Sequence, residues 1–445
     1  MQITGVDVAD VRFPTSVTKD GSDAMNKDGD YSAVYVTLHT SGTAGAGSGT
    51  SAEGRLTGYG LTFTIGRGND VVALAAEQIA ARLVGVDVAK MAADMGGTYR
   101  RLTDDSQMRW LGPEKGAVHL ALAAVMNAAW DLAGRFVGKP VWRMLADMTP
   151  EELVDIADLR YLADALTPEQ AVQMLRAQEA GKAERIAQLE ATGYPCYTTA
   201  AGWLGYSDEK MLRIIGEQAE LGFGHVKLKV GGNLEDDLRR CALAREAIGP
   251  EGTLMIDANQ VWDVPTAIDW ISQLEPFDLH WVEEPTSPDD ILGHRAIKEG
   301  IAPVKVATGE HCHNRVMFKQ FLAAGAMDFC QLDAGRLASL NEIVAVLLLA
   351  ARFDVPVCPH AGGVGLCEMV QHASMLDFVA ISGTRQGRLT EYVDHLHEHF
   401  AHPVRVAGGA YQVTGEPGYN TEMLPESIEE FRFPHGAYWA SRTTG

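Results

Sequence analysis

From about residue 195 onward, short apolar runs rich in β-forming residues alternate with amphipathic helical stretches. No other feature constrains the fold as strongly. The runs are Tyr197–Thr199, His225–Gly231, Thr253–Asp257, His280–Glu283, Val304–Gly309, Phe329–Asp333 and Val355–His360, with an eighth expected within Gly383–Glu391. Helical patterns separate them, among them Leu234–Ile248, Pro265–Leu274 and Asn341–Phe353. Repeated β-then-α units build a parallel sheet, and seven or eight of them favour a closed (β/α)8 barrel over an open sheet.

The first third has a different texture. Alternating runs at Ile3–Phe13, Ala33–His39 and Tyr59–Thr64 predict strands, with helical patterns from Asp70 onward. The glycine-rich stretch Ser41–Arg55 follows a strand but opens no helix, so it reads as a long hairpin loop and not a nucleotide-binding turn. Gly66–Asp70 is expected to cap the next helix. Residues 116–190 are almost continuously helical in pattern, broken at Gly138–Pro140 and restarted by the capping sequence Thr167–Gln170. The expected organisation is α/β: an α+β N-terminal domain (1–140), a (β/α)8, TIM-type barrel (141–395), and a segment returning to the N-terminal domain (396–445).

Composition narrows the partners. With 37 basic against 59 acidic residues the net charge is −22, which argues against nucleic acid or an anionic membrane. Six scattered cysteines form no C-x-x-C pair and read as reduced thiols. The N-terminus lacks a basic, apolar leader, and the longest apolar run, Ile343–Ala351, is half a membrane span. A soluble cytoplasmic protein is expected.

Polar residues then fall in register. Lys229, Asp257, Glu283, Glu310, Asp333 and His360 each stand at the carboxyl end of a run, separated by 28, 26, 27, 23 and 27 residues. One βα unit has about that length, so each comes from a different strand and all converge on the rim where barrels place their chemistry. Strand-end acids often only cap the next helix, but six in register exceed what capping explains. Asp257, Glu283 and Glu310 would repel one another unless a hard divalent cation joined them, and three carboxylates with open positions suit Mg²⁺ better than Zn²⁺. In Trp281–Pro285 either Glu283 or Glu284 could serve; Glu283 keeps the even spacing.

Lys227 and Lys229 lie two apart, hence on one face of a strand, where each depresses the other's pKa and a neutral amine can act as a base. His360 with Asp333 from the adjacent strand is the usual way to orient and charge an imidazole. His311 and His313 fall past a strand end, and His395, His397, His399 and His402 are expected in a solvated turn or helix without zinc.

This pattern of Lys-x-Lys, three acids, then Asp and His resembles the mandelate racemase subgroup of the enolase superfamily. The muconate-lactonizing branch would carry a lysine pair where this chain has Gln331-Leu332-Asp333. The stretches Gly21–Asn26, Gly60–Asp70, Trp110–Gly116, Tyr197–Tyr206, Gly309–Gln320 and His360–His372 are similar to the L-fuconate dehydratases of that subgroup. The resemblance implies one Mg²⁺ per subunit at Asp257, Glu283 and Glu310. It implies Lys229 as general base, and His360, charged by Asp333, as general acid. Lys227 and Glu391 would contact the substrate carboxylate; Gly21, Ser22, Asp23 and Tyr31 would hold sugar hydroxyls. Asn259, Ala361 and Gly362 are further expected contacts. It further implies an N-terminal capping domain closing over a modified (β/α)8 barrel, and a homo-oligomeric hydro-lyase converting a sugar acid, L-fuconate, to 2-keto-3-deoxy-L-fuconate. A dehydratase of another aldonic acid, or a racemase or epimerase with the same residues, is the alternative, and a non-catalytic binding protein the remote one.

Overall fold

The computed structural model describes residues 1–43, 55–112 and 114–442. Three antiparallel strands open the chain: β1 (Ile3–Arg12), β2 (Ser32–Thr43) and β3 (Arg55–Thr64), in the order β1-β2-β3. The strands flanking the expected long loop pair as a hairpin, while residues 44–54 of that loop lie outside the described residues. The alanine-rich helix Gly116–Val137 packs on this sheet. Strand β3 approaches it so closely that a Cβ on Gly60 would lie 2.1 Å from the backbone nitrogen of Ala128, so only glycine fits. That helix is long and apolar enough to cross a membrane by length and composition, yet 78% of its apolar window is buried inside the protein. It is a core helix.

The barrel strands are β4 (Tyr194–Thr198), β5 (His225–Lys229), β6 (Thr253–Asp257), β7 (Leu279–Glu283), β8 (Lys305–Thr308) and β9 (Phe329–Cys330). They pair in parallel in sequence order, and β10 (Thr390–Tyr392) pairs with β4 to close the ring. The expected run Val355–His360 is not a regular strand. Pro356 and Pro359 have no N–H to donate, so the segment is held by an isolated bridge from Val357 to Cys330 and by the His360 N–H bond to the Leu332 carbonyl. Asp333 likewise falls beyond the short β9, in a turn.

Helices between the strands start where the sequence supplies a side-chain acceptor: Asn233, Asp263, Asp290 and Asn314 each bond backbone N–H groups of the following first turn. Thr167 and Gln170 form the expected capping box. Gly66–Asp70 caps the next helix as expected, through backbone alone. A left-handed Gly68 is the N-cap of helix Asn69–Ala80 and its carbonyl accepts from the Val71 and Val72 N–H groups, while the Asn69 side chain bonds Thr64, Asp10 and the Ala33 carbonyl.

Helix Leu340–Arg352 is buried almost all round because it is clamped between barrel and cap. Asn341 joins Trp130 to the carbonyls of Met95 and Ile156 there. Beside it, buried Glu342 accepts from His119 and Arg315. The C-terminal segment crosses back: Phe433 N–H donates to Asp10, and the Trp439 indole donates to Arg12. Three histidines expected in solvent are largely covered instead. His395, His397 and His399 keep only 15%, 17% and 14% of their side chains exposed, His399 being stacked on Phe13.

Candidate active site

Register alone sets the floor of the site. Lys229 on β5 is level with Asp257 on β6, which is level with Glu283 on β7. Glu310 follows β8 through Gly309, whose φ of +144° and 2.8 Å clearance from the Gln331 carbonyl admit no side chain. Asp257, Glu283 and Glu310 each bring a carboxylate oxygen within 4.8 Å of the others. All three are buried.

The lysines sit against these acids. Lys227 Nζ lies 2.7 Å from Glu283, 2.9 Å from Glu391 and 3.4 Å from Asp257; Lys229 Nζ lies 2.5 Å from Asp257. The expected mutual depression is present but overruled. Burial, the largest influence, and Lys227 pull the Lys229 pKa down, while Asp257, Glu310 and Asp23 together outweigh them and hold it above the ordinary lysine value.

On the other side, His360 Nδ1 meets Asp333 at 2.7 Å, and Asp333 is fixed in turn by the N–H groups of Gly335 and Arg336. Burial lowers the imidazole pKa, but Glu310, Asp333 and Glu391 outweigh it and raise it to about 9. Gly362 has no side chain to cover Nε2; a Cβ there would lie 3.0 Å away. Lys229 and His360 both face a cavity of about 240 Å³ whose floor is the barrel and whose roof is the cap: Gly21, Asp23, Asn26, Tyr31, Phe63, Ile65 and Leu120.

The residues fit a hard cation. Glu310 Oε2 is buried with no hydrogen-bond partner among the described residues, its nearest charged neighbour being His360 Nε2 at 3.4 Å, so the oxygen is free to ligate. Glu284, the alternative ligand, also lies close to Glu310, but with His311 as the third member. Its oxygens are taken by His311 at 2.9 Å and Gln260 at 2.7 Å. The all-carboxylate triad is therefore the better oxygen donor set.

Of the expected substrate contacts, Gly21, Asp23, Tyr31, Asn259, His360 and Gly362 line the cavity, while Ser22, Lys227, Ala361 and Glu391 do not. Glu391 is consumed by Lys227, the Thr199 hydroxyl and the Ala361 N–H, and burial loses to Lys227 and His360 in setting its pKa at about 2. Sequence reasoning missed Gln331, whose amide donates to Glu283 at 2.6 Å. Its place two residues before Asp333 was the available signal. Arg336 and Leu120 also line the cavity without any sequence signal. His311 was set aside as past its strand, yet it packs between Glu284 and Glu310.

Residues 14–146 match the mandelate racemase / muconate lactonizing enzyme N-terminal domain, and residues 210–427 match the enolase C-terminal domain-like family. The L-galactonate dehydratase of Hypocrea jecorina is 52% identical over 98% of this chain and 96% of that protein. The chain belongs to the enolase superfamily. The crystal structure of human mitochondrial enolase superfamily member 1 overlays with a TM-score of 0.95 at 49% identity, covering 100% of this chain and 99% of that one. A magnesium-bound racemase from Streptomyces coelicolor, at 23% identity and a TM-score of 0.72, shares the fold; it covers 97% of this chain and 99% of that one. As a member of this superfamily with dehydratase relatives, the chain is a lyase-type enzyme with a capping domain over a barrel.

Proposed function

We propose that the chain is a Mg²⁺-dependent sugar-acid dehydratase of the mandelate racemase subgroup, converting L-fuconate to 2-keto-3-deoxy-L-fuconate. Asp257, Glu283 and Glu310 would hold the ion. When bound, Mg²⁺ supplies positive charge against the dianion that forms when a proton leaves the carbon next to a carboxylate.

The remaining chemistry belongs to the chain's own side chains. Lys229, deprotonated for the step, takes the C2 proton at Nζ. His360, held protonated by Asp333 and Glu310, gives its Nε2 proton to the C3 hydroxyl as the C3–O bond breaks, releasing water. The resulting enol takes up a proton at C3 and becomes the 2-keto acid. Lys227 steadies Glu283 and Asp257 and keeps the floor close to neutral.

One observation carries this reading: a lysine and a carboxylate-backed histidine, from β5 and from the segment after β9, line one small cavity with three acids between them. The choice of L-fuconate rests on the sequence resemblance, and the apolar side chains Phe63, Ile65 and Leu120 in the lining suit a terminal methyl group. L-Galactonate, which carries a hydroxymethyl group at that end, is the second substrate to test, since a close relative is named for it. Incubation with Mg²⁺ and a panel of aldonic acids tests the proposal. Keto acid from L-fuconate above all others supports it; an inverted centre without keto acid would make the enzyme an epimerase.

A further inference from the structure

The cap loop between Lys19 and Asp30 has no regular secondary structure, yet it supplies Gly21, Asp23, Asn26 and Gly29 to the cavity. Within itself it is held by short-range bonds: the Asp23 carboxylate accepts from the Met25 and Asn26 N–H groups. Among the described residues its hydrogen bonds and ion pairs to the barrel all go to one short segment after β4. The Leu204 N–H donates to the Ser22 carbonyl at 2.9 Å. The Tyr206 hydroxyl donates to Asp20 Oδ1. Lys210 Nζ lies 3.6 Å from Asp20 while resting 3.4 Å over the Tyr206 ring.

Access to the floor depends on this loop. Lys229, Glu310, Asp333 and His360 are exposed by only 4%, 7%, 5% and 7%, and four loop residues line the cavity above them, so displacing the loop widens the path by which a sugar acid enters and its product leaves. Asp20 is ion-paired to the barrel through Lys210, and neither it nor its partners Tyr206 and Lys210 line the cavity.

We propose that Asp20, Tyr206 and Lys210 form a latch that holds the cap loop closed over the site, acting as positioning residues for Gly21, Asp23 and Asn26. Breaking the latch weakens substrate capture and eases product release while leaving proton transfer intact. This rests on the proposed sugar-acid dehydration for its kinetic signature, but not for its physical one.

The test uses the full-length protein and the conservative Tyr206→Phe variant, which loses the donated hydrogen bond and keeps the ring, with Lys210→Met as the second variant. Lys19 and Lys27 in the loop are exposed, so trypsin reports on loop opening without any turnover. Cleavage after either lysine is expected to be at least fivefold faster in Tyr206→Phe than in wild type, at unchanged melting temperature. With L-fuconate and Mg²⁺, KM is expected to rise about tenfold while kcat stays level or increases up to about threefold. Equal cleavage rates in wild type and both variants would overturn the latch, as would a KM unchanged within twofold. Faster cleavage in a protein that turns over no sugar acid would uphold the latch and reject the proposed reaction.

Discussion

The floor and the roof of the cavity are held by opposite means. On the floor, the two lysines and the histidine are each fixed by a carboxylate distant in sequence: Lys227 by Glu283, Lys229 by Asp257, His360 by Asp333, across 56, 28 and 27 residues. In the roof loop, the Asp23 carboxylate is fixed by the N–H groups two and three positions on. A floor tied across strands can change little without losing its chemistry. A roof loop held largely by its own short-range bonds, with ties to the barrel at Asp20 and Ser22, is expected to tolerate change with smaller consequences, so on the proposed function the chemistry should follow the barrel and substrate choice the cap.

The largest expected effect breaks the floor. Lys229→Met and His360→Asn should each lose dehydration by about 10²- to 10⁴-fold, with normal circular dichroism and Mg²⁺ affinity. Wild-type turnover in either would show that the floor does not carry the proton transfers. At the seam between the two halves, Glu342→Gln leaves the fully buried Arg315 without a charged partner on that side, a loss of about 3–5 kcal/mol by denaturant unfolding. An unchanged midpoint would mean that Glu114 and Asp158 alone satisfy Arg315.

Roof changes should be milder. Leu120→Ser should move the ratio of kcat/KM for L-fuconate over L-galactonate toward L-galactonate by about tenfold, with kcat nearly constant. An unchanged ratio would place the methyl group elsewhere.

The smallest effect concerns the return segment. Glu368 outweighs burial and raises the His397 pKa from 6.5 to about 9. A raised folded-state pKa means stability that is fully present below pH 6.5 and is lost as pH rises through about 9. The melting temperature of wild type should therefore fall across that window more than that of His397→Gln; parallel curves would contradict the pairing.

These contrasts also explain what could be read from the chain. The barrel and the six rim residues were legible because βα periodicity places strand ends at regular intervals, and charged residues at strand ends are conspicuous. The segment before His360 looked like a strand because its apolar alternation hides what two prolines remove. Gln331 escaped because its one signal, a place two residues before Asp333, is faint for an uncharged amide until Glu283 is seen beside it. The occupation of Glu391 by Lys227 and Thr199 depends on barrel closure between β10 and β4, a contact no local pattern encodes. The histidines of the return segment looked solvated because covering rings come from elsewhere in the chain, Phe13 on His399 and Tyr31 beside His395.

The central claim, that Lys229 and His360 together remove water from a sugar acid, is tested most directly by following L-fuconate with Mg²⁺ in D₂O by proton NMR. The account predicts conversion to the 2-keto-3-deoxy acid with deuterium entering at C3. Unreacted L-fuconate, or deuterium at C2 with an inverted centre and no keto acid, would contradict it.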